Sequence, residues 1–187
     1  MKITFLGHAT LEIQINEFNL LVDPFISGNP MASEINLDDL KPDFILISHA
    51  HQDHTLDVEK LAKDNNSLII SNFEIVSHFQ SKGLNGHPMN HGGKWNFDFG
   101  ELKYVNAIHT STFPDGSNGG QPGGFIITSN NKSIYIAGDT ALTYDMKLIP
   151  INYNLDLAIL PIGDNFTMGY KDAIIASDFI ECNKILG

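Results

Sequence analysis

The chain has 187 residues, a formal net charge of −11 at pH 7, 42% hydrophobic residues and 18% charged residues. This length and composition predict one soluble globular domain, residues 1–187, and exclude a disordered chain. No apolar run reaches the roughly 18 residues that a membrane span requires. The acidic balance, without any basic patch, argues against nucleic acid as a partner.

The cysteine content and the N-terminus predict a location. The single cysteine, Cys182, excludes an internal disulfide framework. The strand-like N-terminus is too short to be a secretory signal. We therefore expect a cytoplasmic protein, whose oligomeric state the sequence leaves open, a homo-oligomer included.

The first half of the chain begins with short strands and then alternates strands with helices. Residues 11–15 alternate apolar and polar side chains, which is the period of a half-buried strand. Gly83 is typical of the position just after a helix. The predicted strands are 3–6, 11–15, 18–22, 44–47 and 67–70, and the predicted helices are 56–63 and 72–82.

The second half repeats this order. The predicted strands are 95–99, 102–108, 125–128, 133–137, 157–160 and 184–186, and the predicted helix is 171–180. Asn130 and Asn131 occupy the turn of a hairpin, and the stretch 110–124, rich in Gly, Pro and Ser, is predicted to be a loop. Hairpins followed by strand–helix alternation, occurring twice, predict an α/β fold in which two sheets pack together with helices outside.

A dense group of metal-ligating residue types follows the apolar run 44–47. Such a run is typical of a strand buried on both faces, so the string SHAHQDH lies where that strand ends, a usual place for a site. His49 and His51 point the same way along an extended segment and can bind one ion. Asp53 and His54 follow a turn and can face a second ion roughly 3.5–4 Å away.

This HxHxDH pattern, with a later lone histidine and a Gly-Asp-Thr after a strand, resembles the metallo-β-lactamase superfamily. The segments 5–10 (FLGHAT) and 89–93 (MNHGG) resemble its branch of metal-dependent hydrolases related to ascorbate-phosphate lactonases and to N-acylphosphatidylethanolamine phospholipase D. The similarity extends over essentially the whole chain. It implies a four-layer αββα sandwich with the site at one edge, between the sheets.

The resemblance also implies two sets of metal ligands. The first metal is assigned His49, His51, His109 and Asp139, and the second is assigned Asp53, His54 and Asp139. Nitrogen and oxygen donors without a thiolate favour Zn²⁺, with Mn²⁺ or Fe²⁺ as alternatives.

Three of these assignments have open questions. Asp139, assigned here as a bridging ligand, has the alternative role of capping the next helix. His8 is placed beside the metals as a catalytic or ligand-supporting group, with a structural hydrogen bond as the alternative. The family has one more histidine after the last strand, and the sequence stops at Gly187, where it is expected. We therefore expect a C-terminally short version of the fold with a second metal site that is in doubt.

These assignments predict a metal-dependent hydrolase. A divalent ion lowers the pKa of bound water from about 15.7 to about 7, so a metal-bound hydroxide would attack a small substrate while Asp53 orients it. The bond cleaved, whether ester, lactone or phosphodiester, stays open. The alternative is a catalytically impaired metal-binding or scaffold protein that lacks the terminal histidine.

Overall fold

The fold contains two six-stranded β-sheets. The computed structural model describes all 187 residues and divides into two units, each with one sheet. The first unit comprises Met1–Asn90 and Ser111–Gly120, and the second comprises His91–Thr110 and Gln121–Gly187.

The sheet of the first unit keeps its strands in chain order. Its strands are β1 (Lys2–Gly7), β2 (Thr10–Ile15), β3 (Phe18–Val22), β4 (Phe44–Leu46), β5 (Leu68–Asn72) and β6 (Gly86–Met89). Strands β1–β3 are antiparallel, and β3–β6 are parallel. Parallel neighbours require crossover connections, and the unit's helices are α1 (Gln52–Thr55), α2 (Val58–Asn65) and α3 (Phe73–Ser81).

The apolar run 44–47 is accounted for by the position of β4 in the core of the first unit. All three residues of β4 are buried, and Ile45 packs in one cluster with Leu61 of α2 and Phe79 of α3. Burial of such a side chain stabilises a fold by about 1.5–3 kcal/mol. Packing of its buried side chains therefore fixes the position of β4, the strand that precedes the histidine motif.

The sheet of the second unit also keeps its strands in chain order. Its strands are β7 (Lys94–Phe97), β8 (Gly100–Asn106), β9 (Gly123–Ser129), β10 (Lys132–Ile136), β11 (Leu157–Ile159) and β12 (Ile185–Leu186). Strands β7–β10 are antiparallel, and β10–β12 are parallel. Its helices are α4 (Ile149–Asn152), which follows a 3₁₀ turn at Tyr144–Leu148, and α5 (Tyr170–Phe179).

The predicted elements largely agree with this structure, with informative differences. The hairpin turn at Asn130 and Asn131 is confirmed, since both residues have positive φ, as a tight hairpin turn of type I′ requires. The predicted helix 56–63 corresponds to α2, which begins and ends two residues later, whereas α1, directly before it, was not predicted. Strand β6 was not predicted, because it contains Pro88; it lies at the sheet edge, where a proline removes no ladder hydrogen bond.

None of the helices is both long and apolar enough to cross a lipid bilayer.

Candidate metal centre

The histidine motif of the first unit lies where β4 ends and α1 begins. His49 follows the buried strand, and His51 has an extended conformation at the N-cap of α1. Asp53 and His54 belong to the first turn of that helix. The change from extended to helical backbone separates the motif into a first pair, His49 and His51, and a second pair, Asp53 and His54.

The first pair presents two ring nitrogens to each other. His49 Nε2 lies 2.9 Å from His51 Nδ1, and His49 Nδ1 lies 3.0 Å from the Ser48 hydroxyl. Two nitrogens that bind one zinc ion at about 2.0–2.1 Å are themselves about 3–3.5 Å apart. The spacing therefore fits one ion, with the Ser48 contact leaving Nε2 of His49 as the donor atom.

A buried carboxylate orients the second pair. Asp23 is 1% exposed, and its Oδ2 lies 3.0 Å from Nδ1 of the fully buried His54. The same carboxylate accepts hydrogen bonds from the Ser48 N–H at 2.7 Å and the Ser48 hydroxyl at 2.6 Å. A carboxylate on one ring nitrogen leaves the other as the ligand atom, so Asp23 directs Nε2 of His54 away from itself.

Asp23 and Ser48 are not among the predicted site residues. The available signal was an acidic residue directly after a buried strand, in Asp23-Pro24. In the sequence that pair indicates only a strand end, since the contact with His54 joins residues 31 apart. Asp23 also has φ +45°, a left-handed conformation that Asp tolerates better than most residues.

His8 and Asp53 form the more exposed part of the cluster. His8 has φ +53° in the turn between β1 and β2, and its Nε2 lies 3.1 Å from Asp53 Oδ2. The hydrogen bond with His8, helped by the charge of His54, holds the pKa of Asp53 well below its usual range. One ligand atom each from His8, Asp53 and His54 lies within 4.8 Å of the others. The group is therefore an anionic carboxylate between two imidazoles.

The remaining predicted ligands lie in the second unit. His109 comes shortly after β8 and Asp139 shortly after β10, and both of these strands are antiparallel to β9. Their carboxyl ends therefore share one edge of the sheet, where His109 Nε2 lies 3.7 Å from Asp139 Oδ2. The loops are tied together by the Ile108 N–H, which donates to the Thr140 hydroxyl at 2.9 Å.

The capping alternative for Asp139 is not adopted. The next helical segment begins at Tyr144, and its N-cap is Thr143, whose side chain accepts from the Asp145 N–H. Gly138, with φ +64°, turns the chain between β10 and Asp139. Asp139 therefore lies beside His109 and is not the N-cap of that helical segment.

The comparisons with known sequences agree with this picture. Residues 2–186 match a family model described as a beta-lactamase superfamily domain. A UPF0173 metal-dependent hydrolase of Flavobacterium johnsoniae is 66% identical over 187 residues, which are 100% of this chain and 83% of that protein. One from Christiangramia forsetii is 64% identical over 188 residues, with the same coverage.

Solved structures give the same fold. Igni18, a metallo hydrolase from the archaeon Ignicoccus hospitalis, is 30% identical with a TM-score of 0.87 over 98% of this chain and 79% of its own. An isothiocyanate hydrolase from Delia radicum gut bacteria has a TM-score of 0.79 at 22% identity, over 99% of this chain and 83% of its own. These matches confirm the predicted fold class and the predicted family resemblance.

Proposed function

The chain belongs to the metallo-β-lactamase superfamily and to the metal-dependent hydrolases within it, and from this premise we propose its metal ligands, its residue roles and its substrate class. One observation carries the proposal: imidazole and carboxylate groups gather at a strand end, with hydrogen bonds that orient their ring nitrogens. Such orientation by neighbouring groups is typical of metal-binding histidines.

We assign the ligands to two divalent ions. His49 Nε2 and His51 Nδ1 bind the first together with His109 and Asp139. Asp53 and His54 bind the second, with Asp139 shared. The donor chemistry supports this assignment, because imidazole nitrogen and carboxylate oxygen without thiolate suit Zn²⁺, and Mn²⁺ or Fe²⁺ as alternatives. The family resemblance of the His49–His54 motif supports it as well.

The chain's own groups prepare the site for hydrolysis. A divalent ion held there would supply a water of lowered pKa and a positive charge for a developing oxyanion. Asp23 and Ser48 hold the rings of His54 and His49 in place. Asp53, 46% exposed at its side chain, is an ionised carboxylate that can accept a hydrogen bond from the attacking water and so aim it.

His8 helps Asp53 to remain ionised and correctly oriented for the attacking water. Its Nε2–H donates to Asp53 Oδ2, which favours the ionised carboxylate and limits its rotation. His8 is itself 39% exposed at its side chain, so its ring also contacts whatever enters from solvent. Removal of the imidazole would therefore reduce turnover without removing a ligand of the first ion.

The substrate class is a small molecule with an ester, lactone or phosphodiester bond. These bonds share an electrophilic carbon or phosphorus centre that develops negative charge on oxygen, which a metal site stabilises. A net charge of −11 opposes binding of long polyanions. A small substrate also agrees with the branch that the sequence resembles.

The test combines metal content with turnover. Protein stripped with a chelator and reloaded separately with Zn²⁺, Mn²⁺ and Fe²⁺ is assayed on p-nitrophenyl acetate, a homoserine lactone and bis-p-nitrophenyl phosphate. We expect close to two equivalents of metal and hydrolysis of at least one substrate. His49→Ala should reduce turnover on the order of a thousandfold, because several kcal/mol of metal stabilisation is lost.

His87→Ala is the matched control, since His87 lies on the edge strand β6 outside the proposed ligands, and it should keep full activity. Less than one equivalent of metal together with no turnover on any substrate would refute the hydrolase proposal. Equal activity in the His49→Ala and wild-type proteins would refute the ligand assignment.

A further inference from the structure

An aromatic side chain of the first unit lies directly beside the polar groups around Asp53. The rings of His8 and Phe25 meet edge to face, with their centroids 5.6 Å apart and their planes at 74°. The centroid of the same His8 ring lies 5.1 Å from that of His54. His8 therefore connects a proposed metal ligand with an aromatic residue that the proposed reaction does not yet use.

Phe25 and Leu56 converge on Gly28. A Cβ atom at Gly28 would lie 2.6 Å from Phe25 Cε2 and 2.6 Å from Leu56 Cδ2, well inside the roughly 3.5–4.0 Å at which carbon atoms pack. The two side chains therefore occupy the space that any side chain at Gly28 would need. We call Phe25, Gly28 and Leu56 the apolar wall.

The apolar wall borders Asp53 along the helix as well as through His8. Leu56 is the C-cap of α1 and has helical backbone angles, φ −54° and ψ −42°. It follows Asp53 by three positions, and residues so spaced are neighbours on one side of a helix. The carboxylate that is proposed to aim the attacking water is thus next to both side chains of the wall, to Leu56 along α1 and to Phe25 through His8.

Hydrogen bonds fix the backbone on both sides of Phe25. The buried Asp57 carboxylate accepts from the Ile26 N–H at 2.6 Å and the Ser27 N–H at 3.0 Å, and also from the Ser27 hydroxyl. The Phe25 N–H donates to the Thr10 hydroxyl at 3.0 Å. A surface that is already rigid loses little entropy when a ligand binds to it. The apolar wall is therefore organised in advance.

The apolar wall is also accessible to a ligand. Leu56 is 38% exposed, Gly28 is exposed and Phe25 is partly exposed. Burial of such apolar surface under an apolar group is favourable. A molecule whose reacting bond lies beside Asp53 can therefore gain binding energy by laying an apolar chain on this wall.

We propose that the apolar wall binds an alkyl chain of the substrate and makes the site selective for longer esters or lactones over short ones. This inference rests on the proposed function, because it takes the reacting bond to lie beside Asp53. Phe25 and Leu56 contact the chain, and Gly28 leaves room for both side chains. The alkyl chain belongs to the acyl side or to the alcohol side of the bond.

Two series of esters test the selectivity on the metal-loaded protein. In the first, p-nitrophenyl acetate, butyrate and hexanoate vary the acyl chain. In the second, ethyl, butyl and hexyl acetate vary the alcohol. A fully buried methylene is worth about fourfold, so contact on one side of the chain should raise kcat/KM about twofold per methylene in one series. That series identifies the side of the bond, and no rise in either series overturns the proposal.

Variants locate the selectivity on the apolar wall. Phe25→Ala should reduce the preference for the longest chain over the shortest to a few fold, and Phe25→Leu, which keeps an apolar surface, should retain most of it. Gly28→Ala should also reduce the preference, because its methyl group takes space between the two side chains. Trp95→Ala is the control: Trp95 is an aromatic residue, 56% exposed, on the edge strand β7, and its change should leave the preference unaltered. An unaltered preference in Phe25→Ala overturns the proposal.

A binding measurement separates this proposal from the hydrolase proposal. In an NMR titration of the whole chain, millimolar hexan-1-ol should shift the Leu56 methyl and Phe25 ring signals, and ethanol at the same concentration should not. If hexan-1-ol binds in this way and no ester is hydrolysed, the hydrolase proposal fails while the apolar wall still binds alkyl chains. If esters are hydrolysed without dependence on chain length and hexan-1-ol causes no shift, the apolar wall proposal fails alone.

Discussion

The histidine cluster of the first unit and the packed core of the second unit use buried polar groups in opposite ways. In the cluster, Asp23 accepts two hydrogen bonds from Ser48 and contacts His54, so one carboxylate holds several groups in place. In the core of the second unit, the Tyr135 hydroxyl has no partner. The first arrangement satisfies its buried carboxylate with several hydrogen bonds, whereas the second leaves a buried hydroxyl without one.

The largest expected effect comes from loosening the organised cluster. Asp23→Asn keeps the size and the tolerance of positive φ but removes the charge that orients His54. We expect metal affinity to fall about 10–100-fold, as is usual for such supporting groups. Competition with a chromophoric chelator measures the affinity, and NMR of the imidazole nitrogens reports the loss of a single His54 tautomer.

Asp43→Asn is the matched control. Asp43 Oδ2 accepts from the Asn19 N–H at 2.8 Å in an exposed position, so its change should leave metal affinity unaltered. A fall in affinity of the same size in both variants would mean that Asp23 has no special role in orienting the histidines.

A smaller, opposite effect is expected at Tyr135 in the core of the second unit. Tyr135→Phe removes a buried hydroxyl without a partner, so it should raise the free energy of unfolding by about 1 kcal/mol. For a chain of this size that corresponds to a Tm increase of roughly 2–4 °C, measurable by calorimetry without ligand. Core substitutions usually destabilise, which makes the sign of the change informative.

Tyr104→Phe provides the comparison for this measurement. The Tyr104 hydroxyl donates to the Gln121 carbonyl at 3.4 Å, so its removal should give no gain in stability. An equal increase in both variants would show that loss of a hydroxyl, and not the absent partner of Tyr135, is the cause.

The smallest effect concerns Tyr153 of the second unit, whose hydroxyl does have a partner. Burial, together with the hydrogen bond to Glu101, raises the pKa of Tyr153 to about 12. The unfolded value is near 10, so the folded state holds the proton more tightly, and the contribution to stability is complete below pH 10. It decreases as pH rises from about 10 to about 12.

The absorbance of tyrosinate near 295 nm follows this titration, and Tyr153→Phe removes the corresponding step. Glu101→Gln should lower the midpoint toward 10, because the neighbouring negative charge disappears. A midpoint near 10 in the wild-type protein would contradict the assigned surroundings of Tyr153.

Much of the fold followed from local patterns. The apolar run before the histidine motif predicted β4, and Asn130 and Asn131 predicted the turn between β9 and β10; both are features of neighbouring residues. Strand β6 was not predicted because Pro88 disfavours a strand, and only its place at the sheet edge permits it. The short helix α4 was likewise absent from the prediction, since four residues are too few for a helical period.

The sequence predicted the residues that are proposed to bind metal, but it did not predict the residue that orients them. His49, His51, Asp53 and His54 lie within six positions of one another, so their common location was readable from spacing. His109 and Asp139 depended on the family resemblance and remain proposed ligands. Asp23 had no local signal of its role, because the groups it orients lie 25 and 31 residues away.

By itself the sequence determined which strands form and which side chains can bind metal, since periodicity, turn residues and donor chemistry are properties of short segments. Only the tertiary structure decided which ring nitrogen each histidine presents and which buried hydroxyl lacks a partner. Hydrogen-bond partners in these two regions come from separate elements. Their geometry exists only after the elements have packed, and Tyr135 shows this most clearly: in the sequence it is one residue of a strand, and in the fold its hydroxyl is buried without a hydrogen bond.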